Sequence, residues 1–288
     1  MVRYLTLFIV TALLSACVQQ PPKQLKSETK DTKTLALPIQ GASVHWLSEK
    51  FIAVAPSFIG TSEVKDLALI TVDKNGQSTS YPMTKTDHLS SQISHFPHLS
   101  NFVIYQLSAD DKSIKELLKR KLTVSNGKIA TQVQTAAVLD QLYTANDNDA
   151  NEAENLGAVI LKDHVTFNLW APTATSVKVL LFNQDKSPFQ TQLLDMTEDT
   201  STGLWTVKGD SSLAGKYYQY QIDVYHPASQ QFETLVTTDP YSLSLSTNSK
   251  YSHIIDLNSE KTMPDGWLTQ RDNPIVCLLY TSPSPRDS

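Results

Sequence analysis

The stretch GKYYQYQIDV, from Gly215 to Val224, decides the fold of the second half of the chain. Aromatic and aliphatic side chains alternate there with polar ones: Tyr218, Tyr220, Ile222 and Val224 against Gln219, Gln221 and Asp223. Successive side chains of a β-strand point to opposite faces of a sheet, so this alternation predicts a strand with one buried face.

The same pattern recurs upstream, in Val165, Phe167 and Leu169 and again in Val177, Val179 and Leu181. Shorter apolar runs predict four more strands, at residues 192–196, 204–207, 232–236 and 253–257. Seven short strands separated by Gly- and Pro-containing turns are typical of an immunoglobulin-like β-sandwich, which we place at residues 156–258. The sequence lacks the inter-sheet cysteine pair of antibody domains, so the sandwich is not of that type.

A second folded segment is predicted at residues 42–144, with an α+β or mainly β fold. Short apolar runs at residues 44–47, 51–55, 67–72 and 102–107 are typical of strands, and residues 135–143 form a candidate closing helix. Two Asn-Gly pairs, at Asn75 and Asn126, predict tight turns because Gly accepts positive φ. The acidic, aperiodic residues 145–155 are interpreted as the linker between the two segments.

Composition excludes several classes of protein. The chain has 288 residues and a formal charge of −5, without a basic block, which argues against nucleic acid as a partner. Its two cysteines, Cys17 and Cys277, cannot form a disulfide framework or a four-ligand zinc site. A (β/α)8 barrel alone needs roughly 250 residues, so this chain has no room for one beside the predicted segments.

The N-terminus has the features of a secretory signal peptide, predicted at residues 1–16. Arg3 precedes an apolar run from Tyr4 to Leu14, which is too short to span a bilayer. The run ends in LSAC, Leu14 to Cys17, which resembles the bacterial lipobox; an ordinary signal peptide that ends in Cys is the alternative. The resemblance implies lipidation of Cys17 and, because Val18 follows it rather than Asp, an outer-membrane or cell-surface location. Residues 17–41, rich in Gln, Lys, Pro, Ser and Thr, are predicted to be a flexible tether.

The sequence contains no recognisable catalytic or metal-binding pattern. No G-x-S-x-G nucleophile elbow and no phosphate-binding glycine loop occur. His95 and His98 flank a proline without a nearby acidic residue, and Asp147 to Asn151 begin a calcium-loop pattern that fails at its glycine and final glutamate positions. We therefore expect no catalytic residue, no metal site and no cofactor in this chain.

Five motifs of the second segment resemble the N-terminal domain of glycoside hydrolase family 13 debranching enzymes, and the last two narrow the match to pullulanases. These motifs are VTFNLWAPTA (Val165–Ala174), GLW (Gly203–Trp205), GKYYQY (Gly215–Tyr220), VYHP (Val224–Pro227) and TDPYSLSLSTNS (Thr238–Ser249). In the first segment, VHW (Val44–Trp46), FPHL (Phe96–Leu99) and ATQVQTA (Ala130–Ala136) resemble the N2-type domain of Klebsiella-type lipoprotein pullulanases.

The resemblance implies a lipid-anchored enzyme that hydrolyses α-1,6 branch points of pullulan, amylopectin and limit dextrins with two carboxylates of a catalytic barrel. None of the barrel motifs occurs in this chain, so residues 259–276 are interpreted as the lead-in to a missing barrel. The last twelve residues, 277–288, resemble a translated sequencing adapter; a natural Ser/Pro tail is the alternative.

The sandwich itself resembles carbohydrate-binding module family 48, whose glucan-binding members stack exposed tryptophans on sugar rings. Trp170 and Trp205 are the candidate stacking residues, with core packing as the alternative for both. Where binding members place a second stacking tryptophan this chain has Tyr225-His226-Pro227, which favours a scaffold over a sugar-binding module. Two other classes stay open: a stand-alone α-glucan-binding lipoprotein, and an immunoglobulin-like structural or adhesion module.

Overall fold

The computed structural model describes residues 37–60, 67–86, 96–109, 111–145, 150–189, 193–257, 259, 262–263 and 265–267. These residues form a mainly β structure with two hydrophobic cores, one in a small barrel and one in a two-sheet sandwich. No helix among them is long and apolar enough to cross a membrane. Cys17 and the suspected adapter tail lie outside the described residues.

The first segment is a barrel whose seven described strands close on themselves in the order β1-β2-β5-β4-β3-β6-β7. The strands are β1 (Val44–Trp46), β2 (Phe51–Val54), β3 (Leu67–Val72), β4 (Ser78–Lys85), β5 (Val103–Leu107), β6 (Lys121–Ser125) and β7 (Ala130–Gln134). Neighbouring strands are antiparallel except at the closure, where β1 and β7 run parallel and Val44 lies opposite Val133. The expected α+β or β segment is thus a closed β-barrel.

Among the described residues, three short helices accompany the barrel: α1 (Pro56–Ile59), α2 (Asp111–Leu117) and α3 (Ala136–Tyr143). The helix expected at residues 135–143 is confirmed as α3, whose Val138 and Tyr143 are fully buried. Trp46 lies at 0 % exposure in the barrel core, and its indole N–H donates to the carbonyl of Ser48 at 2.8 Å.

The Asn-Gly turns form as predicted. The Asp73 carboxylate accepts the backbone N–H groups of Asn75 and Gln77 at 2.9 and 2.8 Å, which closes the hairpin between β3 and β4. Gly76 has φ +81°, a conformation that side chains with a Cβ rarely adopt. The local turn chemistry therefore sets the register of this hairpin.

The second segment is a sandwich of two sheets. One sheet has the strand order β11-β10-β14-β15, with β16 also paired to β14, and the other has the order β12-β13-β9-β8. The strands are β8 (Gly157–Ile160), β9 (His164–Trp170), β10 (Ala174–Phe182), β11 (Leu194–Asp195), β12 (Thr197–Asp199), β13 (Leu204–Asp210), β14 (Tyr217–His226), β15 (Gln231–Thr237) and β16 (Ser252–His253).

The predicted alternation is confirmed in the long strands of the sandwich. The inward residues of β9, β10 and β14 are 0–6 % exposed: Val165, Phe167, Leu169, Val177, Val179, Leu181, Tyr218 and Tyr220. Their side chains meet between the two sheets in one hydrophobic core, as an immunoglobulin-like sandwich requires.

Three details differ from the predicted strands. The structure has two short strands, β11 and β12, in place of the single strand expected at residues 192–196. The chain crosses from one sheet to the other at the buried Met196, whose N–H donates to the carbonyl of Val177. The strand expected at 253–257 ends at His253, after which Ile254 buries its side chain in the core outside regular pairing. The edge strand β8 was not predicted, since it has only four residues and begins two positions after the linker turn at Asn155, which has a positive φ.

Candidate functional site

Trp205, one of the two candidate sugar-stacking residues, is part of the sandwich core. It is 6 % exposed, and its indole N–H donates to the carbonyl of Ala171 at 3.0 Å. Its inward direction follows from the pairing of Trp205 with Leu169, because paired residues share a face of the sheet. The ring therefore has no open face for a sugar, and this position corrects the stacking interpretation.

Trp170, the other candidate, lies on the opposite, outer face of the same sheet. It pairs with Leu204 at the end of β9, it is partly buried, and its indole N–H donates to the carbonyl of Thr202 at 3.0 Å. The two tryptophans therefore cannot stack on one sugar chain. A stacking role for Trp170 alone stays a prediction.

The outer face of the five-stranded sheet carries an aromatic cluster, which we define as Phe182, Tyr217, Tyr251 and His253. The rings of Tyr217 and His253 are stacked, with centroids 4.7 Å apart and 21° between their planes. Tyr251 lies edge-on to Phe182 at 4.7 Å and to Tyr217 at 6.4 Å. All four residues are partly exposed, so the cluster presents aromatic surface to solvent.

Strand register explains the position of the aromatic cluster. Phe182, Tyr217 and His253 are paired across β10, β14 and β16, which places all three on one face. The same alternation that buries Tyr218 turns Tyr217 outward. The sequence patterns did not predict this cluster, because they were used to find the inward residues of each strand. The adjacent tyrosines at 217 and 218 could have indicated it.

Polar groups surround the aromatic cluster. The ammonium of Lys186 lies 5.3 Å from the ring centroid of Tyr217, and that of Lys250 lies 5.4 Å from the centroid of Tyr251. The side-chain amide of Gln219, next along the outer face of β14, donates to the carbonyl of Lys250 at 2.9 Å. Aromatic rings bordered by hydrogen-bonding groups can contact the apolar face and the hydroxyl rim of a sugar.

Beneath this face, a buried carboxylate holds the segment that leads to β16. Asp239, 4 % exposed, accepts the phenol O–H of Tyr218 at 2.6 Å, the phenol O–H of Tyr220 at 3.3 Å and the N–H of Tyr241 at 2.7 Å. Burial raises the pKa of Asp239, and the hydrogen bonds it accepts oppose that rise. Burial and the neighbouring carboxylate raise the pKa of both phenols, which stay protonated donors.

The barrel and the sandwich share a second polar cluster at their junction. The ammonium of Lys115 on α2 donates to the carbonyls of Thr200 and Ser201, at 3.1 and 2.6 Å, and lies 4.3 Å from the ring centroid of Tyr143. Burial raises the pKa of Tyr143, and the negative charge of Glu198 raises it further. The cluster joins helices of the barrel to the turn after β12 and has the character of a structural contact.

The histidine pattern of the first segment does not form a metal site among the described residues. His95 lies outside them, and His98 packs near His45 with ring centroids 6.0 Å apart. Burial lowers the pKa of His45, and the neighbouring His98 lowers it further. Within the described part of the chain, no three His, Cys, Asp or Glu residues are grouped so that they could hold a metal ion.

Two family models match this chain, one for each body. The pullulanase N2 domain matches residues 41–141, and carbohydrate-binding module 48 (isoamylase N-terminal domain) matches residues 155–242. A pullulanase of Klebsiella pneumoniae is 42 % identical over 186 residues, which are 62 % of this chain and 16 % of that protein. Pullulanase 1, chloroplastic, of Arabidopsis thaliana is 32 % identical over 183 residues, which are 61 % of this chain and 18 % of that protein.

Solved structures agree in the arrangement of these domains. A Klebsiella pneumoniae pullulanase complexed with maltotriose has a TM-score of 0.68 and 36 % identity, covering 81 % of this chain and 22 % of that one. The PulA protein of Klebsiella oxytoca has a TM-score of 0.67 and 35 % identity, with the same two coverages. This chain thus spans less than a fifth of the two curated relatives described above. It carries a pullulanase N2 domain followed by a carbohydrate-binding module of family 48, and it is homologous to the N-terminal region of the Klebsiella pullulanases.

Proposed function

We propose that this chain is the non-catalytic N-terminal region of a pullulanase-type enzyme that hydrolyses the α-1,6 branch points of pullulan, amylopectin and limit dextrins. The observation that carries the proposal is the order of the two domains, N2 before the family 48 module, on a chain 36 % identical to a maltotriose-complexed Klebsiella pullulanase. In this proposal the α-glucan is bound and cleaved by a catalytic barrel outside these 288 residues, and the sandwich serves as its scaffold.

Exposed apolar residues near the end of the sandwich support the scaffold role. Leu243, Leu245, Leu257 and Trp267 are 68 %, 45 %, 51 % and 60 % exposed. A recess of about 490 Å³ lies in the same region and is lined in part by His253, Ile254 and Ile255. Apolar side chains that stay exposed near one end of a domain can be covered by another protein surface, and here the catalytic barrel is the proposed partner.

The test joins the coding region downstream of Val276 to this chain and measures reducing sugar released from pullulan. We expect the longer protein to debranch pullulan and the 288-residue chain to release nothing, because the carboxylate pair belongs to the barrel. A matched variant, Leu243→Ser, should leave the fold of the short chain unchanged and weaken the longer enzyme. Debranching by the purified short chain would overturn the non-catalytic assignment.

We also propose that Cys17 carries lipid and anchors the protein at the outer membrane or cell surface. The LSAC sequence at the end of the apolar N-terminal run supports this, because the Cys thiol is the acyl acceptor in lipoproteins. Cys17→Ser should abolish palmitate labelling and leave the precursor uncleaved. Normal labelling of that variant, against Cys277→Ser as the matched control, would refute the anchor.

The aromatic cluster favours a second candidate, a stand-alone α-glucan-binding surface lipoprotein. Its stacked Tyr217 and His253 offer a ring surface that Trp170 and Trp205 do not form together. Titration with maltoheptaose by calorimetry separates the candidates. Micromolar binding that is lost in Tyr217→Ala but kept in Trp170→Ala would favour the stand-alone module, whereas binding no tighter than the millimolar range would favour the scaffold.

A further inference from the structure

A cavity of about 230 Å³ lies between the barrel and the sandwich. Its apolar lining includes Leu118 and Leu122 of the barrel, and the sandwich contributes Tyr225 at the end of β14. The volume is below the range of about 300–1,000 Å³ typical of sites for drug-sized ligands, and suits a single ring. Junctions between domains are preferred places for such sites.

Arg120 supplies unused hydrogen-bond donors to this cavity. It follows α2, where its backbone N–H donates to the carbonyl of Leu117 at 3.0 Å, and its side chain is partly buried. Among the described residues its guanidinium has neither a carboxylate partner nor a hydrogen bond, and no acidic residue lines the cavity. A partly buried guanidinium with five N–H donors and no partner favours a ligand rich in acceptors.

The other polar groups of the cavity offer acceptors as well as donors. The side-chain N–H of Gln132 donates to the carbonyl of Pro227 at 3.0 Å, which fixes the amide and leaves its carbonyl oxygen available. Thr135 precedes α3 but makes no side-chain cap bond, so its hydroxyl is not used by the helix. Thr173 adds a second hydroxyl from the sandwich.

A donor next to an acceptor, beside an aromatic ring, is the pattern that recognises a neutral hydroxyl-bearing ring. An anion would use Arg120, but it would meet the carbonyl oxygen of Gln132 without a second cation in the lining. A cation is disfavoured by Arg120 itself. We propose that this cavity is a subsite for one glucosyl unit of an α-glucan, held by both domains at once.

The inference rests on the proposed function for the class of ligand, and its site shares no residue with the aromatic cluster. Because ligand contacts come from Arg120 and Gln132 on the barrel and from Thr173 and Tyr225 on the sandwich, neither body alone completes the subsite. A bound glucan would therefore hold the N2 domain and the family 48 module in one relative position.

The test titrates the isotope-labelled 288-residue chain with maltotriose and follows amide signals by nuclear magnetic resonance. We expect shifts at Gln132, Thr135 and Thr173 and an affinity in the millimolar range, as one ring in a small site allows. Arg120→Met, which keeps the aliphatic stem, should weaken binding about tenfold or more, since bonds from charged donors are the stronger ones. Lys128→Met, which removes an exposed cation of the same barrel, should leave binding unchanged.

A second variant, Thr135→Val, keeps the test valid if Arg120→Met fails to fold. It removes one hydroxyl at nearly constant volume and should also weaken binding. If amide shifts appear only at Tyr217 and Tyr251 and are unchanged in Arg120→Met, the chain binds glucan but not in this cavity. That outcome would overturn the subsite. Shifts at the cavity with inorganic phosphate but not with maltotriose would overturn it in favour of an anion site. The absence of any amide shift at about 20 mM maltotriose would also overturn it. Debranching of pullulan by the longer enzyme tests the proposed function separately.

Discussion

The ammonium of Lys119 on the barrel lies 2.6 Å from a carboxylate oxygen of Glu198 on the sandwich. Their side chains are only 10 % and 12 % exposed, although the residues are 79 positions apart in the chain. Glu116 adds a more exposed contact to Lys119 at 3.2 Å. A charge pair so shielded from water couples the two bodies, because Glu198 without Lys119 would be a nearly buried, unpaired charge.

A double-mutant cycle on this pair should show strong coupling. Lys119→Met should lower the free energy of unfolding by about 3 kcal/mol, since it leaves the carboxylate of Glu198 nearly buried and without its cation. Glu198→Gln should cost less, because the amide oxygen can still accept from Lys119 and Glu116 still pairs with it. The double variant should lose less than the sum of the two. Urea denaturation of the four proteins measures the coupling.

The exposed pair of Lys178 and Asp195 is the matched control. Its N···O distance is 3.0 Å, but its side chains are 31 % and 77 % exposed. A cycle on it should give less than about 1 kcal/mol, as for other solvated pairs. Equal coupling in both cycles would contradict the argument that burial makes the junction pair strong.

Gly203→Ala should destabilise the sandwich more than Gly76→Ala destabilises the barrel. Both glycines have positive φ, +72° and +81°, so backbone strain of about 1–2 kcal/mol is common to the two variants. A Cβ at Gly203 would also come within 2.7 Å of the Cβ of Pro172, whereas nothing lies within 4 Å of one at Gly76. The difference in free energy of unfolding should be about 1–3 kcal/mol; equal losses would show that Pro172 moves away freely.

The stability contributed by Asp239 should depend on pH in a definite direction. Burial raises its pKa in the folded chain above the ordinary value of 3.8. The folded state therefore holds the proton more tightly, and this contribution is complete below pH 3.8 and is lost as the pH rises through the raised value. Each unit by which the pKa is raised adds about 1.4 kcal/mol to the free energy of unfolding at low pH.

Asp239→Asn, which cannot titrate, isolates this effect. The difference in unfolding free energy between the parent chain and the variant should be largest below pH 3.8 and should shrink towards neutral pH. Urea unfolding at a series of pH values measures it, and the other carboxyl groups cancel in the difference. A difference that grows with pH would mean that the bonds from Tyr218 and Tyr220 outweigh the cost of burial.

Trp205→Ala should unfold the sandwich rather than abolish a binding contact. The ring is 6 % exposed within the core, so its removal should cost about 3–5 kcal/mol. Trp170→Ala removes a partly exposed ring from the outer face and should cost less. Thermal unfolding followed by circular dichroism compares the two, and a small loss for Trp205 would restore it as a candidate contact for sugar.

Local patterns predicted much of this structure. The alternation around Tyr218, Phe167 and Val179 identified three long strands and their buried faces, because strand periodicity is written into neighbouring residues. The turn at Asn75 was predicted for the same reason, since a glycine with positive φ follows it. The candidate sugar contacts were less predictable, because Trp170 and Trp205 differ in exposure through strand pairing and not through residue type.

The sequence by itself determined the two folded segments, the alternating strands of the sandwich and the turn that joins β3 to β4. Only the tertiary structure decided that β1 closes on β7, that the chain crosses between sheets at Met196, and that Lys119 meets Glu198. These contacts join residues that are far apart in the chain or lie on different sheets, so no local period encodes them. They form because closing the barrel and burying both cores satisfies backbone hydrogen bonds and removes apolar surface from water together.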